Sequence, residues 1–275
     1  MNPIGIMLNN LEKDRLRAFG VAVREKFTVV HTNAVFEHFL TDPERGQYIA
    51  AARESGLTID TMFIGFDGQS YADIDAISRT VGILPIPDLR EHRIQVALLY
   101  CDLARDLGVK SLAMHLGFFP KDTTDADYRY LVNAIRTIAD RCGEYGQTLN
   151  FETGQESGAE LLEFIEEVDR PNLGVNFDCG NFLLYGTDDP LIALQTLRDH
   201  IRGVHCKDGH RPTTPGQLGK ETPLGQGEMD FPAFLGELKK MGYSGPLIIE
   251  REAGPKVLED VQAGVAYLQQ VRSEI

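Results

Sequence analysis

The chain has 275 residues, 43% of them hydrophobic, with 41 acidic against 27 basic side chains and a formal net charge of −14. That is enough apolar material for a sizeable core and too much for a disordered chain. The acidic balance excludes the broad positive field on which sequence-independent nucleic-acid binding depends.

No basic stretch followed by a long apolar one opens the sequence, and apolar runs such as Val96–Tyr100 are far too short for a bilayer, so neither a signal peptide nor a membrane span is expected. Cys101, Cys142, Cys179 and Cys206 contain no C-x-x-C pair and read as reduced, packed thiols of a cytoplasmic protein.

In chain order, strands are expected at Ile4–Leu8, Phe27–His31, Thr58–Ile64, Ser111–Leu116, Thr148–Glu152, Leu173–Asp178, Ile201–Cys206 and Pro246–Glu250. Helical periodicity falls between and after them, at Glu12–Lys26, Pro43–Ser55, Leu89–Leu107, Asp125–Tyr145, Ala159–Val168, Pro190–Arg198, Phe231–Met241 and Val257–Arg272. Strand–helix alternation predicts parallel strands with crossover helices. With a length near the roughly 250 residues typical of such barrels, it predicts one α/β domain over residues 1–275, a (β/α)8 TIM barrel, with an open doubly wound sheet as the alternative. Asp42-Pro43 reads as a helix cap followed by a first-turn proline. Gly56, Gly108, Gly146 and Gly242 read as left-handed helix ends. The long stretches Gly65–Asp88 and Lys207–Asp230 follow strands and are expected to carry function.

Side chains alternate across a strand. In Leu149-Asn150-Phe151-Glu152 the apolar residues pack outward, so Asn150 and Glu152 point into the barrel. By the same parity Asn176, Asp178, His205, Lys207, Glu250 and His115 point inward, and His31 is expected to line the pocket. Strands five to eight therefore end on Glu152, Asp178, His205 and Glu250, at the face where barrel active sites lie. Each has a plainer reading alone: Glu152 as a loop anchor, Asp178 as a helix cap, His205 as a core histidine, Glu250 as a surface ion pair. Together, three carboxylates converging on one point would take up protons unless a cation held them. Oxygen-rich ligation with one imidazole suits Mn²⁺, the expected ion, or Mg²⁺, and tolerates Co²⁺ or Zn²⁺. Lys207 would bind a substrate oxyanion or pair with Asp178 or a neighbouring carboxylate. Gly225 and Gly227 form a turn before the helix at Phe231, with a phosphate cradle as the alternative.

The segments Asn150-Phe151-Glu152-Thr153, Asn176-Phe177-Asp178-Cys179-Gly180-Asn181, Val204-His205-Cys206-Lys207-Asp208, Pro223–Phe231 and Ile248-Ile249-Glu250 resemble the sugar phosphate isomerase/epimerase family, of the xylose-isomerase-like TIM barrel superfamily. The resemblance covers essentially the whole chain. It implies that Glu152, Asp178, His205 and Glu250 bind one metal ion and that Glu152 and Glu250 double as the acid–base pair. It also implies that Arg211 touches substrate and that His115 stands near the site. Ketose epimerases of this group carry a histidine three residues after the metal aspartate; here Asn181 takes that substrate-contacting place, which points to a larger or more oxidised polyol ketone than a free ketohexose.

The expected function is a metal-dependent isomerase or epimerase acting on a keto-sugar or related polyol ketone through a metal-bound enediolate. Dehydratases or lyases of the same superfamily, of the inosose, dehydroshikimate or 3-keto-glycoside type, are the alternative. An endonuclease-IV-like hydrolase would need further ligands for three zinc ions and a cationic groove, against only seven histidines and the wrong charge. A binding barrel without turnover is the third class. The partner expected is a small-molecule sugar or polyol ketone, with no nucleic acid or membrane; self-association into a homo-oligomer is left open.

Overall fold

The computed structural model describes residues 2–33 and 35–275. In chain order the strands are β1 (Ile4–Met7), β2 (Val29–Thr32), β3 (Thr58–Phe63), β4 (Ser111–Met114), β5 (Thr148–Glu152), β6 (Leu173–Asp178), β7 (Ile201–Cys206), β8 (Asp208–His210), β9 (Lys220–Thr222) and β10 (Leu247–Ile249). The helices are α1 (Arg17–Arg24), α2 (Glu44–Ser55), α3 (Ile74–Thr80), α4 (Arg90–Leu107), α5 (Ala126–Glu144), α6 (Gly158–Val168), α7 (Cys179–Tyr185), α8 (Pro190–Thr196), α9 (Phe231–Lys240) and α10 (Val257–Glu274).

Eight strands close into a parallel barrel in the order β1-β10-β7-β6-β5-β4-β3-β2, and β8 pairs antiparallel with β9 outside it. The (β/α)8 barrel is thus formed as a single domain, with extra elements inserted in its loops. One large apolar core lies between strands and helices; Phe151, Val175, Phe177 and Val204, the outward residues by parity, belong to it. A second, small cluster of Met7, Phe63, Ala113 and Ile248 lies apart from that core. By the same alternation Ile248 faces opposite to Leu247 and Ile249, into the barrel.

The remaining interior is polar and depends on missing side chains. A Cβ at Gly174 would collide with the Asn150 amide, and one at Gly203 with that of Asn176. Asn150 Nδ2 is held by the Leu112 carbonyl at 3.0 Å and Ser111 Oγ at 2.8 Å. Glycine thus makes room for the layer of amides beneath the strand-end residues.

Several local expectations are corrected. Helix α1 starts at Arg17, not near Glu12, because Asp14 Oδ1 accepts the N–H groups of Leu16 and Arg17 and closes a turn first. Helix α2 starts at Glu44 and no side chain caps it, so Asp42 does not serve there. Gly56 and Gly108 do end their helices in the left-handed conformation, with φ of 66° and 76°. The long stretches after the strands hold structure that periodicity did not show: α3 after β3, and the β8–β9 hairpin after β7. Helix α7, also unforeseen, opens directly from the end of β6. No helix among the described residues is long and apolar enough to cross a membrane.

Candidate metal centre

Glu152 ends β5, Asp178 ends β6, His205 is the penultimate residue of β7, and Glu250 follows β10. The four strand ends are neighbours in the barrel. All four side chains are buried, and each offers one ligand atom within 4.8 Å of the others. His205 Nδ1 lies 2.7 Å from Glu152 Oε1, 3.1 Å from Glu250 Oε2 and 3.7 Å from Asp178 Oδ2.

Asp178 does two things at once. Its Oδ1 caps α7 by accepting the Asn181 N–H at 2.9 Å, while Oδ2 accepts no hydrogen bond. Glu152 Oε1 is likewise buried without a hydrogen bond. Buried carboxylate oxygens are normally satisfied; here these two have only charged neighbours, His205 and Lys207, without hydrogen-bond geometry, and both stand within the ring of candidate ligand atoms. Donor chemistry and unfilled oxygen lone pairs both fit one divalent cation with mixed oxygen and nitrogen ligation.

The surrounding charges respond to the crowded carboxylates. Burial works against ionisation of Glu152, but His115 and His205 beside it outweigh that and hold its carboxyl well below the usual range. Burial opposes ionisation of Asp178 too, and Lys207 and His205 keep it low. Burial pushes His205 and Lys207 towards neutrality, yet their carboxylate neighbours raise both well above ordinary values. The excess negative charge is thus met by protons on imidazole and ammonium groups, where protonated carboxylates had been expected.

Lys207 is fully enclosed, with Nζ 2.9 Å from Glu250, 3.0 Å from Glu252 and 3.4 Å from Asp178, and it donates to Asn181 Oδ1 at 3.1 Å. Of its two sequence readings, the ion pair with Asp178 is therefore formed. Asn181 donates its amide to the Thr153 carbonyl at 3.1 Å. It lines the cavity and brackets the β5 loop to Lys207, which leaves one amide N–H and one carbonyl lone pair free for a ligand. His115 lines the cavity with Nε2 2.9 Å from Glu152 Oε2, and its Nδ1 is buried without a partner.

Two of the expected substrate contacts lie elsewhere. His31 does point inward, but it is 0% exposed and sits beneath His205, 3.0 Å from its Nε2, so it lines no part of the cavity. Arg211 falls beyond β8, outside the cavity wall. Its N–H donates to Glu228 Oε1 at 3.2 Å and its guanidinium lies 3.8 Å from Glu228 Oε2.

The cavity above the centre measures about 920 Å³. Residues not foreseen complete its wall: Arg15, Tyr71, Tyr185, Glu221 and Arg251. Arg251 bridges Glu221 at 2.7 Å and Asp260 at 3.0 Å, tying the hairpin to α10. Its place beside Glu250 was a usable signal. Arg15 and Tyr185 carried none, because a loop residue and a residue in a short helix have no parity.

The Gly-Gln-Gly turn holds no phosphate cradle. Its inward N–H groups are occupied by the buried Asp208, which accepts from Gly225 at 2.9 Å, Gly227 at 3.0 Å and Met229 at 3.1 Å, as well as from Gly209 at 2.8 Å.

The sequence pattern of the xylose isomerase-like TIM barrel family matches residues 22–271. The solved xylose isomerase domain protein of Planctomyces limnophilus is 36% identical, with a TM-score of 0.85 over 94% of this chain and 92% of that one. A ketose 3-epimerase of Arthrobacter globiformis is 28% identical over 135 residues, 46% of this chain and 43% of its own. An inosose dehydratase of Lacticaseibacillus casei is 27% identical over 148 residues, 48% of this chain and 49% of its own. The match thus spans about half the length of these curated relatives.

Proposed function

We propose that this chain, which belongs to the xylose isomerase-like TIM barrel family, is a divalent-metal-dependent isomerase or epimerase of a keto-sugar or related polyol ketone. The observation that carries the reading is the convergence of Glu152, Asp178, His205 and Glu250 on one buried point at the floor of a cavity large enough for a sugar. A divalent ion held by these four side chains supplies Lewis acidity towards a substrate carbonyl oxygen; Mn²⁺ is the proposed ion.

Glu152 and Glu250 stand on strands separated by β6 and β7, so they approach a substrate from two sides. Glu152 is held ionised by His115 and His205, the state a general base requires. One glutamate takes the proton from the carbon beside the carbonyl, giving an enediol. The other, holding a proton at that stage, returns it to the opposite face or to the neighbouring carbon, which completes an epimerisation or an isomerisation. His115 and Lys207 hold Glu152 and Glu250 in place through contacts of 2.9 Å each.

A second reading, elimination of water from the same enediol, is favoured by Asn181. Its amide is engaged on both sides and takes no part in proton exchange, and an inosose dehydratase is among the relatives.

The deciding experiment is carbon-bound proton exchange. Ketoses, ketose phosphates, inososes and 3-keto-glycosides are incubated with the Mn²⁺-loaded protein in D₂O and then read by NMR. The expected result is deuterium at the carbon next to the carbonyl of a turned-over substrate, with Glu152→Gln and Glu250→Gln each lowering turnover by about 100-fold or more. Full activity in both variants would refute the acid–base assignment.

A further inference from the structure

We propose that Asp60, acting through His31, is a positioning residue that fixes the tautomer of His205 and so presents its Nδ1 lone pair to the metal ion. The inference rests on the reading of the four strand-end residues as ligands.

Three contacts form one line through the barrel. His205 Nδ1 is the nitrogen among the carboxylates, 2.7 Å from Glu152 Oε1. Its other nitrogen, Nε2, lies 3.0 Å from His31 Nδ1. His31 Nε2 lies 3.0 Å from Asp60 Oδ2. An ionised carboxylate only accepts hydrogen bonds, so His31 must carry its proton on Nε2. A neutral His31 then has a lone pair on Nδ1, which accepts from His205 Nε2–H. A neutral His205 with its proton on Nε2 keeps the Nδ1 lone pair free for a cation. Reversing any proton breaks the next contact. Without Asp60, His31 can instead carry its proton on Nδ1 and donate to His205 Nε2, which selects the His205 tautomer that cannot ligate through Nδ1.

The fold provides this line by local irregularity. The β2–β3 register runs Val30 to Ile59 and then His31 to Thr61, leaving Asp60 as the extra residue of a bulge. Bulges re-aim side chains, and they recur beside active sites. Thr61 Oγ1 donates to Asp60 Oδ2 at 3.2 Å, which adds a second donor to the same oxygen. Gly203 lies 3.5 Å from His31 Cε1 at the point where a Cβ would stand, which leaves space for the ring. Phe63 packs over His205 at 5.3 Å between ring centroids and over His31 at 6.0 Å, restricting both. His31 is fully buried, while the Asp60 side chain is 31% exposed and reaches solvent at the far end of the line. Asp60 touches no ligand atom and no cavity wall, so its effect on the ion passes through two imidazoles.

The test is the Kd of Mn²⁺ for chelator-stripped protein, measured by titration calorimetry, with thermal unfolding of the ion-free proteins alongside. Asp60→Ala and His31→Leu should weaken binding by about 10- to 100-fold, the usual effect of losing an outer partner of a metal histidine. Asp60→Glu keeps a carboxylate at the part-exposed end and should return most of the affinity. A merely structural role predicts the other pattern: lower ion-free stability and an unchanged Kd. If wild type binds Mn²⁺ and both Asp60→Ala and His31→Leu bind it with the same Kd, the positioning role is refuted and the metal site stands. If wild type binds no Mn²⁺, Mg²⁺, Co²⁺ or Zn²⁺, the functional reading fails and this inference fails with it.

Discussion

Glu156, in the loop between β5 and α6, offers the sharpest quantitative test of the structure. It is 5% exposed, and neither carboxyl oxygen has a hydrogen-bond partner. It lines a cavity of about 80 Å³ beside Phe118, Phe119 and Tyr128. Burial pushes its carboxyl up to about 8 from 4.5, with His115 opposing only weakly. Below pH 4.5 the folded and unfolded chains both hold the proton and no penalty arises. As pH rises further the unfolded chain releases the proton and the folded chain keeps it, so native stability falls until pH passes about 8. At about 1.4 kcal/mol per pKa unit, the penalty is under ~1 kcal/mol at pH 5, roughly 3 at pH 7 and roughly 4 at pH 8. Glu156→Gln keeps the shape and removes the titration. Its own cost, an amide buried in the same place, does not vary with pH. Urea unfolding at pH 5, 6, 7 and 8 should therefore show the variant gaining on wild type by roughly 3 kcal/mol between the first and last points. Proton linkage elsewhere is common to both proteins and cancels. A difference that stays flat to within about 0.5 kcal/mol across that range would show that Glu156 is not shifted.

Three further outcomes are expected. Asp178→Asn and His205→Ala should each weaken binding of the single ion, and chelation of wild type should lower Tm by roughly 5 °C, the shift expected of an ion present near 100 times its Kd; unchanged stoichiometry and affinity in both variants would remove the proposed site. Free ketohexoses should be turned over with kcat/KM below roughly 10⁴ M⁻¹s⁻¹ in an NMR epimerisation assay, because Asn181 is engaged by Thr153 and Lys207 and exchanges no proton; a higher value would show that this position does not govern the choice of substrate. Asp208→Ala strips the acceptor from four backbone N–H groups and should cost at least about 3 kcal/mol in urea unfolding, with faster proteolysis of the 223–229 loop; wild-type stability would mean that other groups hold this turn.

Legibility in the sequence followed the physics of each element. The expected bounds of β5, β6 and β7 coincide with the observed ones because an outward apolar residue alternates with an inward polar one at the C-terminal end of each, at Glu152, Asp178 and His205. The same alternation located all four candidate ligands. Helices α3 and α7 span seven residues each, under two turns, with little room for an apolar stripe to repeat; α8 is equally short but opens on Pro190 at its first position. Helix α7 also lacks any turn residue before it, because Asp178 itself is the cap. The β8–β9 hairpin is three residues a side with residues 211–219 between, too short for a period-two pattern to show. For His31, parity gave the direction and not the depth: the ring faces inward but meets His205 before it reaches the cavity. Asp60 was hidden for the related reason that a bulge breaks the alternation on which parity rests.

Charge balance connects these parts. Three buried carboxyl groups, Glu152, Asp178 and Glu250, surround one buried ammonium, Lys207, so acidic groups outnumber the fixed positive charge at the centre of the barrel mouth. The fourth carboxylate near Lys207, Glu252, is 54% exposed on its side chain and is screened by solvent. A cation at the proposed site would offset this excess, which bare buried carboxylates carry only at a cost. Lys207 therefore does more than pair with Asp178: its fixed positive charge reduces the excess that an ion would have to meet. Without an ion, the compensating positive charge falls on His205 and His115, whose pKa values rise, while Glu152 stays ionised. An ion bound at the proposed site would therefore displace positive charge from the imidazoles, and Glu152, already ionised without it, would stand as the proposed base in either state.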